Sequence, residues 1–241
     1  IVQRTLHTFG VGESSVAEKL GDLMKRGRNP SVGTTVADGV VSIRVNARFG
    51  SRDEATRQAN ETIALVRATL DDLVYGEDGS SLAVIVCKLL EPNQPDGKPI
   101  TVATAESCTG GLLAKYLTDR PGASTHFNRG WVTYANEAKR EMLGVSWDAL
   151  LGHGAVSEPV ARAMAAGALA HSLADIAISV TGVAGPGGGT EEKPVGLVHL
   201  AAVRKGHEPI AERHIFPGDR DAIRRVSVIT ALAMLASLAE R

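Results

Sequence analysis

The chain has 241 residues and a formal net charge of -1, enough for one large domain or two smaller ones and without the basic excess that marks nucleic-acid binders. Aromatic residues make up only 4%, so the core must be built from small aliphatics, and two cysteines exclude a disulfide framework and suit a reducing compartment. No continuous apolar run reaches the roughly 18 residues of a membrane span, and no charged-then-apolar leader opens the chain, so a cytoplasmic protein without membrane association is expected.

The chain opens on Ile1 rather than Met, mid-strand by pattern, as expected of the C-terminal part of a longer product. Residues 1 to 76 give strand, helix, strand, helix. Val16, Leu20, Leu23 and Met24 fall at helical spacing after Gly12-Glu13-Ser14. Val41, Ile43, Val45, Ala47 and Phe49 alternate with polar neighbours, a period-2 strand with one wet face. Ser51 and Glu54 form a plausible capping box for a long helix carrying Ile63, Val66, Leu70 and Leu73. Together these predict a small α+β unit of two helices on an antiparallel sheet. Tyr75 to Gly79, polar and glycine-rich, marks the expected boundary.

From residue 77 to 241 helix and strand alternate. Ser81 to Leu90 reads as an apolar helix, Pro92 to Gly97 as a turn, and Ile100 to Ala105 as a strand followed by a helix from Thr109 to Thr118. Gly130 to Tyr134 is a further strand and Glu137 starts a helix. Ser157-Glu158-Pro159 opens another, with a capping serine and an early proline. Strands are expected over Asp175 to Val180, Gly196 to Val203 and Pro209 to Phe216, the last two as a hairpin across Arg204 to His207. Gly218 to Leu238 closes the chain as a long helix. The order predicts an α/β sandwich on a mixed sheet, parallel where helices intervene and antiparallel at the hairpin.

Chemistry gathers where these strands end. Glu106-Ser107-Cys108-Thr109-Gly110-Gly111 lies at a strand-to-helix turn. There unpaired N–H groups can hold an anion or oxyanion beside a nucleophile, or a serine or threonine can simply cap the helix. Lys139 follows Tyr134 by five residues, just past a strand. Partly buried, its amine would have a lowered pKa and serve as a base; exposed, it is a solvated helix lysine. Thr181-Gly182-Val183-Ala184-Gly185-Pro186-Gly187-Gly188-Gly189 follows a buried strand directly. Its N–H groups are free to cradle a phosphate or carboxylate, although it matches neither a Walker loop nor a dinucleotide fingerprint. Arg220, with Arg224 a turn on, opens the last helix and suits a phosphate clamp. The seven histidines make no H-x-x-x-H pair and no Cys/His cluster, so no metal is expected.

In order and spacing these clusters are no longer generic. The run Ala105 to Gly111 resembles the C-terminal nicotinamide-nucleotide amidohydrolase (PncC-type) domain of the CinA family. So do Gly130 to Lys139, His153 to Pro159, the glycine loop with Glu191 to Val198, and Pro217 to Arg220. Residues 1 to 76 resemble the KH-type domain that precedes it. The resemblance implies a full-length relative with a further N-terminal molybdopterin-binding-like domain, whose pyrophosphatase activity this chain is expected to lack. It also implies hydrolysis of the carboxamide of nicotinamide mononucleotide, without cofactor. In that reading Ser107 is the nucleophile, Lys139 its base and Tyr134 is oriented toward the pair. Glu106, Cys108, Thr109, Gly110, Thr181, Gly182 and Gly185 line the substrate, and Arg220, or Arg224 as second choice, takes its phosphate.

Cys108 is the rival nucleophile, since thiols also hydrolyse amides. Gly187 departs from the polar residue expected there in relatives. Trp131, Tyr134, Phe127 and Tyr116 are the rings available to stack on nicotinamide. The competing class is a binding module for nucleotide or nucleic acid. KH folds clamp single strands through a G-x-x-G loop, which residues 1 to 76 lack, so nucleic acid is disfavoured and a homodimer or larger homo-oligomer is expected.

Overall fold

The computed structural model describes residues 1–91 and 97–240. It divides into two compact units, residues 1–85 and 86–241. The turn expected over 92–96 lies outside the described residues.

The first unit is a four-stranded antiparallel sheet with two helices. Strands β1 (Val2–Phe9), β2 (Ser31–Ala37), β3 (Val40–Ala47) and β4 (Val74–Glu77) lie in the order β2-β3-β1-β4. Alternation puts Leu6, Val32, Val41, Ile43 and Val45 on the face that meets helices α1 (Glu13–Leu20) and α2 (Arg52–Leu70). Ser51 caps α2 by accepting from the Glu54 N–H at 3.1 Å. The Glu54 carboxylate does not complete the box, because it takes Arg57 instead. The expected boundary at Tyr75 is itself part of a strand: Glu77 and Gly76 pair with Leu6 and His7. A polar, glycine-bearing segment joins a sheet there because pairing uses the backbone alone.

Helix α3 (Leu82–Leu90) spans the division. The second unit is a five-stranded mixed sheet in the order β6-β5-β7-β8-β9, from β5 (Val102–Glu106), β6 (Phe127–Val132), β7 (Ile176–Gly182), β8 (Leu197–Arg204) and β9 (Ile210–Ile215). β6, β5 and β7 run parallel, each connected through helices; β7, β8 and β9 run antiparallel. One face packs on α7 (Glu158–Ala170), with α5 (Asn136–Leu143) and α6 (Trp147–His153) behind it. Ala103, Ala105, Ala161, Ala165, Ala168, Ala177 and Ala201 fill that layer. Their small size lets α7 lie close to the sheet, which explains how so few aromatics suffice.

The other face takes α4 (Leu112–Thr118) and α8 (Arg220–Ala239). By length and composition alone α8 could cross a membrane, but Ile223, Val228, Leu232 and Leu235 are fully buried against the sheet. Of the α8 and α7 starts near the strand ends, one carries a side-chain cap. Asp219 accepts from the Ala222 N–H at 2.8 Å and begins α8. Ser157 does not cap α7 as expected; its hydroxyl donates back to the Gly154 carbonyl at 2.8 Å, and Pro159 alone presets the first turn.

Candidate active site

Parallel β5 and β7 end side by side, and the Ser107 N–H donates to the Val180 carbonyl at 2.9 Å. That bond fixes the residue that leaves the sheet. The chain then turns sharply through Gly110 (φ +62°) and Gly111 (φ +90°) before α4 begins. Both angles lie in the left-handed region, where glycine avoids the steric cost other residues meet. The Gly110 N–H donates to the Ser107 carbonyl at 3.0 Å, closing the turn. Among the described residues the Cys108 and Thr109 N–H groups meet no carbonyl acceptor.

Lys139 enters from α5 and is 1% exposed. Its Nζ lies 3.2 Å from Ser107 Oγ, 2.8 Å from the Thr133 carbonyl and 3.3 Å from the Tyr134 carbonyl. Burial lowers its pKa from the ordinary lysine value, offset in part by the adjacent Cys108. The neutral amine has two N–H bonds for the two carbonyls and a lone pair for the Ser107 hydroxyl proton. The ammonium has three N–H bonds for the same three oxygens. Both protonation states are satisfied without rearrangement, as a proton shuttle requires.

Cys108 is buried beside the pair. It is 4% exposed, and burial pushes its thiol up to about 12. A thiol held so firmly protonated is a poor nucleophile, which weighs against it as the rival of Ser107.

Several expected substrate contacts have other employment. Glu106 is buried, and its carboxylate accepts from the Leu113 and Ala114 N–H groups at 3.0 and 2.8 Å. It compensates the positive end of α4 from behind the turn, so the expectation of a substrate contact is corrected. Thr181 is likewise buried, its hydroxyl donating to the Ala155 carbonyl at 2.8 Å. Gly182 is required by packing: a Cβ there would come within 2.7 Å of the Leu197 carbonyl oxygen. In the glycine loop the Val183 N–H is spent on the Leu197 carbonyl. Among the described residues those of Ala184, Gly185, Gly187, Gly188 and Gly189 meet no carbonyl. Thr109 is fully buried, and its hydroxyl finds no hydrogen-bond partner.

The Tyr134 hydroxyl is engaged by Arg220, accepting from Nη2 at 3.0 Å, and only the backbone carbonyl of Tyr134 reaches Lys139. Arg220 also donates through Nη1 to the Gly185 carbonyl at 2.8 Å. The guanidinium thus ties the start of α8 to the glycine loop and to the second residue after β6. Of the four rings available for stacking, Tyr134 is more than half exposed beside this bridge. Phe127 pairs with Val102 at the far end of β5, Tyr116 lies against Lys115, and Trp131 against Arg129. His153 contributes its carbonyl to Lys193 Nζ at 2.6 Å. The carbonyls of Thr133 and Tyr134 and the reach of Arg224 to Thr109 are what the sequence reading does not name. Backbone carbonyls carry no side-chain signature, and only the fold places them.

Among the described residues no cluster of His, Cys, Asp and Glu suited to a metal is present. The turn, the buried lysine and the free N–H groups together can activate a hydroxyl against a carbonyl carbon and receive the oxyanion.

Known proteins give this arrangement a family. The CinA C-terminal domain profile matches residues 88–239, and the damage-inducible protein CinA KH domain profile matches residues 3–76. A competence-damage inducible protein of Symbiobacterium thermophilum is 44% identical over 98% of this chain and 56% of its own length. A CinA-like protein of Desulfovibrio desulfuricans is 47% identical over 81% of this chain and 45% of its own. The chain therefore spans about half the length of these relatives. The crystal structure of a competence/damage inducible protein from Agrobacterium tumefaciens superimposes with a TM-score of 0.62 at 47% identity, covering 65% of this chain and 93% of that one. A CinA superfamily protein from Escherichia coli gives 0.59 at 34%, covering 67% and 91%. With two profiles in succession along the chain and a relative matched over 98% of it, the chain belongs to the CinA family.

Proposed function

We propose that the second unit hydrolyses the carboxamide of nicotinamide mononucleotide, giving nicotinate mononucleotide and ammonia. The observation that carries the reading is the buried Lys139 amine 3.2 Å from Ser107 Oγ. An amide is a hard electrophile, and its hydrolysis needs an activated nucleophile, an oxyanion site and a proton for the departing amine.

In this reading the neutral Lys139 amine takes the Ser107 proton as Oγ attacks the carboxamide carbon. The developing oxyanion is met by the Cys108 N–H, the residue after the nucleophile, with Thr109 N–H beside it. The Lys139 ammonium then protonates the leaving nitrogen, and ammonia departs as the acyl-serine ester forms. The amine, neutral again, deprotonates a water that attacks the ester. Returning that proton to Ser107 frees the carboxylate product. Arg220 and the open N–H groups of the glycine loop suit the substrate phosphate. Arg220 would exchange its bond to Tyr134 for one to phosphate and so bring the ring into play.

The test is ammonia release from nicotinamide mononucleotide with a chelator present. Wild type and Cys108→Ala are expected to be active, and Ser107→Ala and Lys139→Ala inactive while still folded. Activity that survives Ser107→Ala but is lost in Cys108→Ala would transfer the nucleophile to the thiol. A folded but inactive wild type would overturn the reaction itself.

A further inference from the structure

Arg224 sits one helical turn into α8, and its half-buried side chain reaches back to the turn after β5. Nη2 donates to the Thr109 carbonyl at 2.8 Å, and Nη1 lies 3.8 Å from the Asp221 carboxylate. Among the described residues its buried Nε meets no hydrogen-bond partner. A buried N–H left unpaired is destabilising, so an arginine reaching into this place needs a reason. A Cβ on Gly110 would stand 3.6 Å from Nη2, so glycine keeps the passage open on the turn side.

The guanidinium and two peptide groups then lie in sequence. The guanidinium donates to the carbonyl of the Thr109–Gly110 peptide. The N–H of that same peptide, on Gly110, donates at 3.0 Å to the Ser107 carbonyl. The Ser107 carbonyl belongs to the Ser107–Cys108 peptide, whose own N–H is the open donor beside the nucleophile. We propose that Arg224 is a positioning residue that polarises the Cys108 N–H through these two hydrogen-bonded peptide groups and thereby strengthens the oxyanion site. A cation at the head of such a chain draws electron density from each carbonyl in turn and makes the last N–H more acidic. In a low-dielectric setting each bond reinforces the next by roughly 10–30%. This role differs from a phosphate clamp: Arg224 acts on the reacting carbonyl without touching the substrate.

The inference rests on the amide-hydrolysis reading, so its test includes a readout independent of activity. In 15N-labelled Arg224→Met the charge is gone, the stem packing remains, and no orphaned Nε is left. The Cys108 amide proton is expected to move upfield, and kcat for ammonia release to fall about fivefold with KM unchanged. Arg224→Lys, which can still donate to the Thr109 carbonyl, is expected to recover most of both. Should Arg224→Met fail to fold, Arg224→Gln reads the same shift. An unmoved Cys108 amide in the neutral variant overturns the relay, as does a loss confined to KM, which would make Arg224 a substrate contact. A silent wild type with a shifted Cys108 amide would leave the relay standing and remove the proposed reaction.

Discussion

In the proposed reaction Lys139 is the base, and its burial has consequences for both rate and stability. Because desolvation lowers its pKa, the amine deprotonates at a pH below the ordinary lysine range. The rate is therefore expected to rise with pH through that lowered pKa, as a single-proton acid limb in kcat/KM. Lys139→Arg, which stays charged, should remove the activity at every pH. The stability effect has a definite sign. Between the folded pKa and the ordinary value of 10.5 the unfolded chain holds the proton that the native protein has lost. Wild type therefore gains stability as pH rises through that window. Lys139→Met has no such proton, so denaturant titrations should show the stability difference moving toward wild type as pH increases. Parallel curves would mean an ordinary, solvated lysine. Cys108 supplies the complementary check. With its thiol buried and held near 12, it should resist iodoacetamide at pH 8 in the native protein and react once urea opens the fold, as intact-mass spectrometry would record. Ser107 and Lys139 stood out in the sequence because each follows a strand end, and the family resemblance rather than the residue types implied their pairing. The directions of Glu106, Thr181 and Tyr134 were not legible, since a side chain beside a strand end serves substrate or scaffold according to neighbours from distant elements.

At the scale of elements, α5 must hold Lys139 still while α7 supports it. Gly167 in α7 makes this contact possible: a Cβ there would overlap the Leu143 carbonyl at the end of α5. Gly167→Ala is expected to push the helices apart, destabilise the protein by about 1–3 kcal/mol or more, and cost activity beyond the loss of folded protein by displacing the amine. Thermal unfolding beside specific activity, each corrected for folded fraction, separates the two effects. Glu106 performs the corresponding service for α4. Glu106→Ala would leave the Leu113 and Ala114 N–H groups without their acceptor and is expected to lower stability by about 1–3 kcal/mol, read as a reduced urea midpoint. The elements themselves were legible wherever a period showed: β3 and α2 by alternation and helical spacing, the β8–β9 hairpin by its polar turn. β2 and β4 were not. Ser31–Ala37 is mostly small or polar and Val74–Glu77 is four residues long, so neither carries an apolar period. Both are edge strands recruited by backbone pairing to β3 and β1.

At the scale of the molecule, every group assigned to the reaction lies between Ser107 and Arg224. The strand order explains why. With β5 flanked by β6 and β7 in parallel, the C-terminal ends of three strands meet on one edge of the sheet. The nucleophile turn, the segment leading to Lys139 and the glycine loop all leave from there. A crevice outside the carboxyl ends of parallel strands is where an open α/β sheet offers a ligand room. The first unit supplies none of these groups and has its own buried core around Leu6, Ile43 and Val66. The Agrobacterium protein is 93% covered by 65% of this chain, so about a third of this chain lies outside that match. A fragment from Ser80 to Arg241, which keeps α3 whole, is therefore expected to fold cooperatively and to release ammonia from nicotinamide mononucleotide with the kcat and KM of the full chain. Steady-state kinetics on fragment and full chain, with thermal unfolding of each, would decide it. A folded fragment with undiminished kcat and a raised KM would assign the first unit a part in substrate capture. A folded fragment with no turnover would mean that the reaction depends on residues before Ser80.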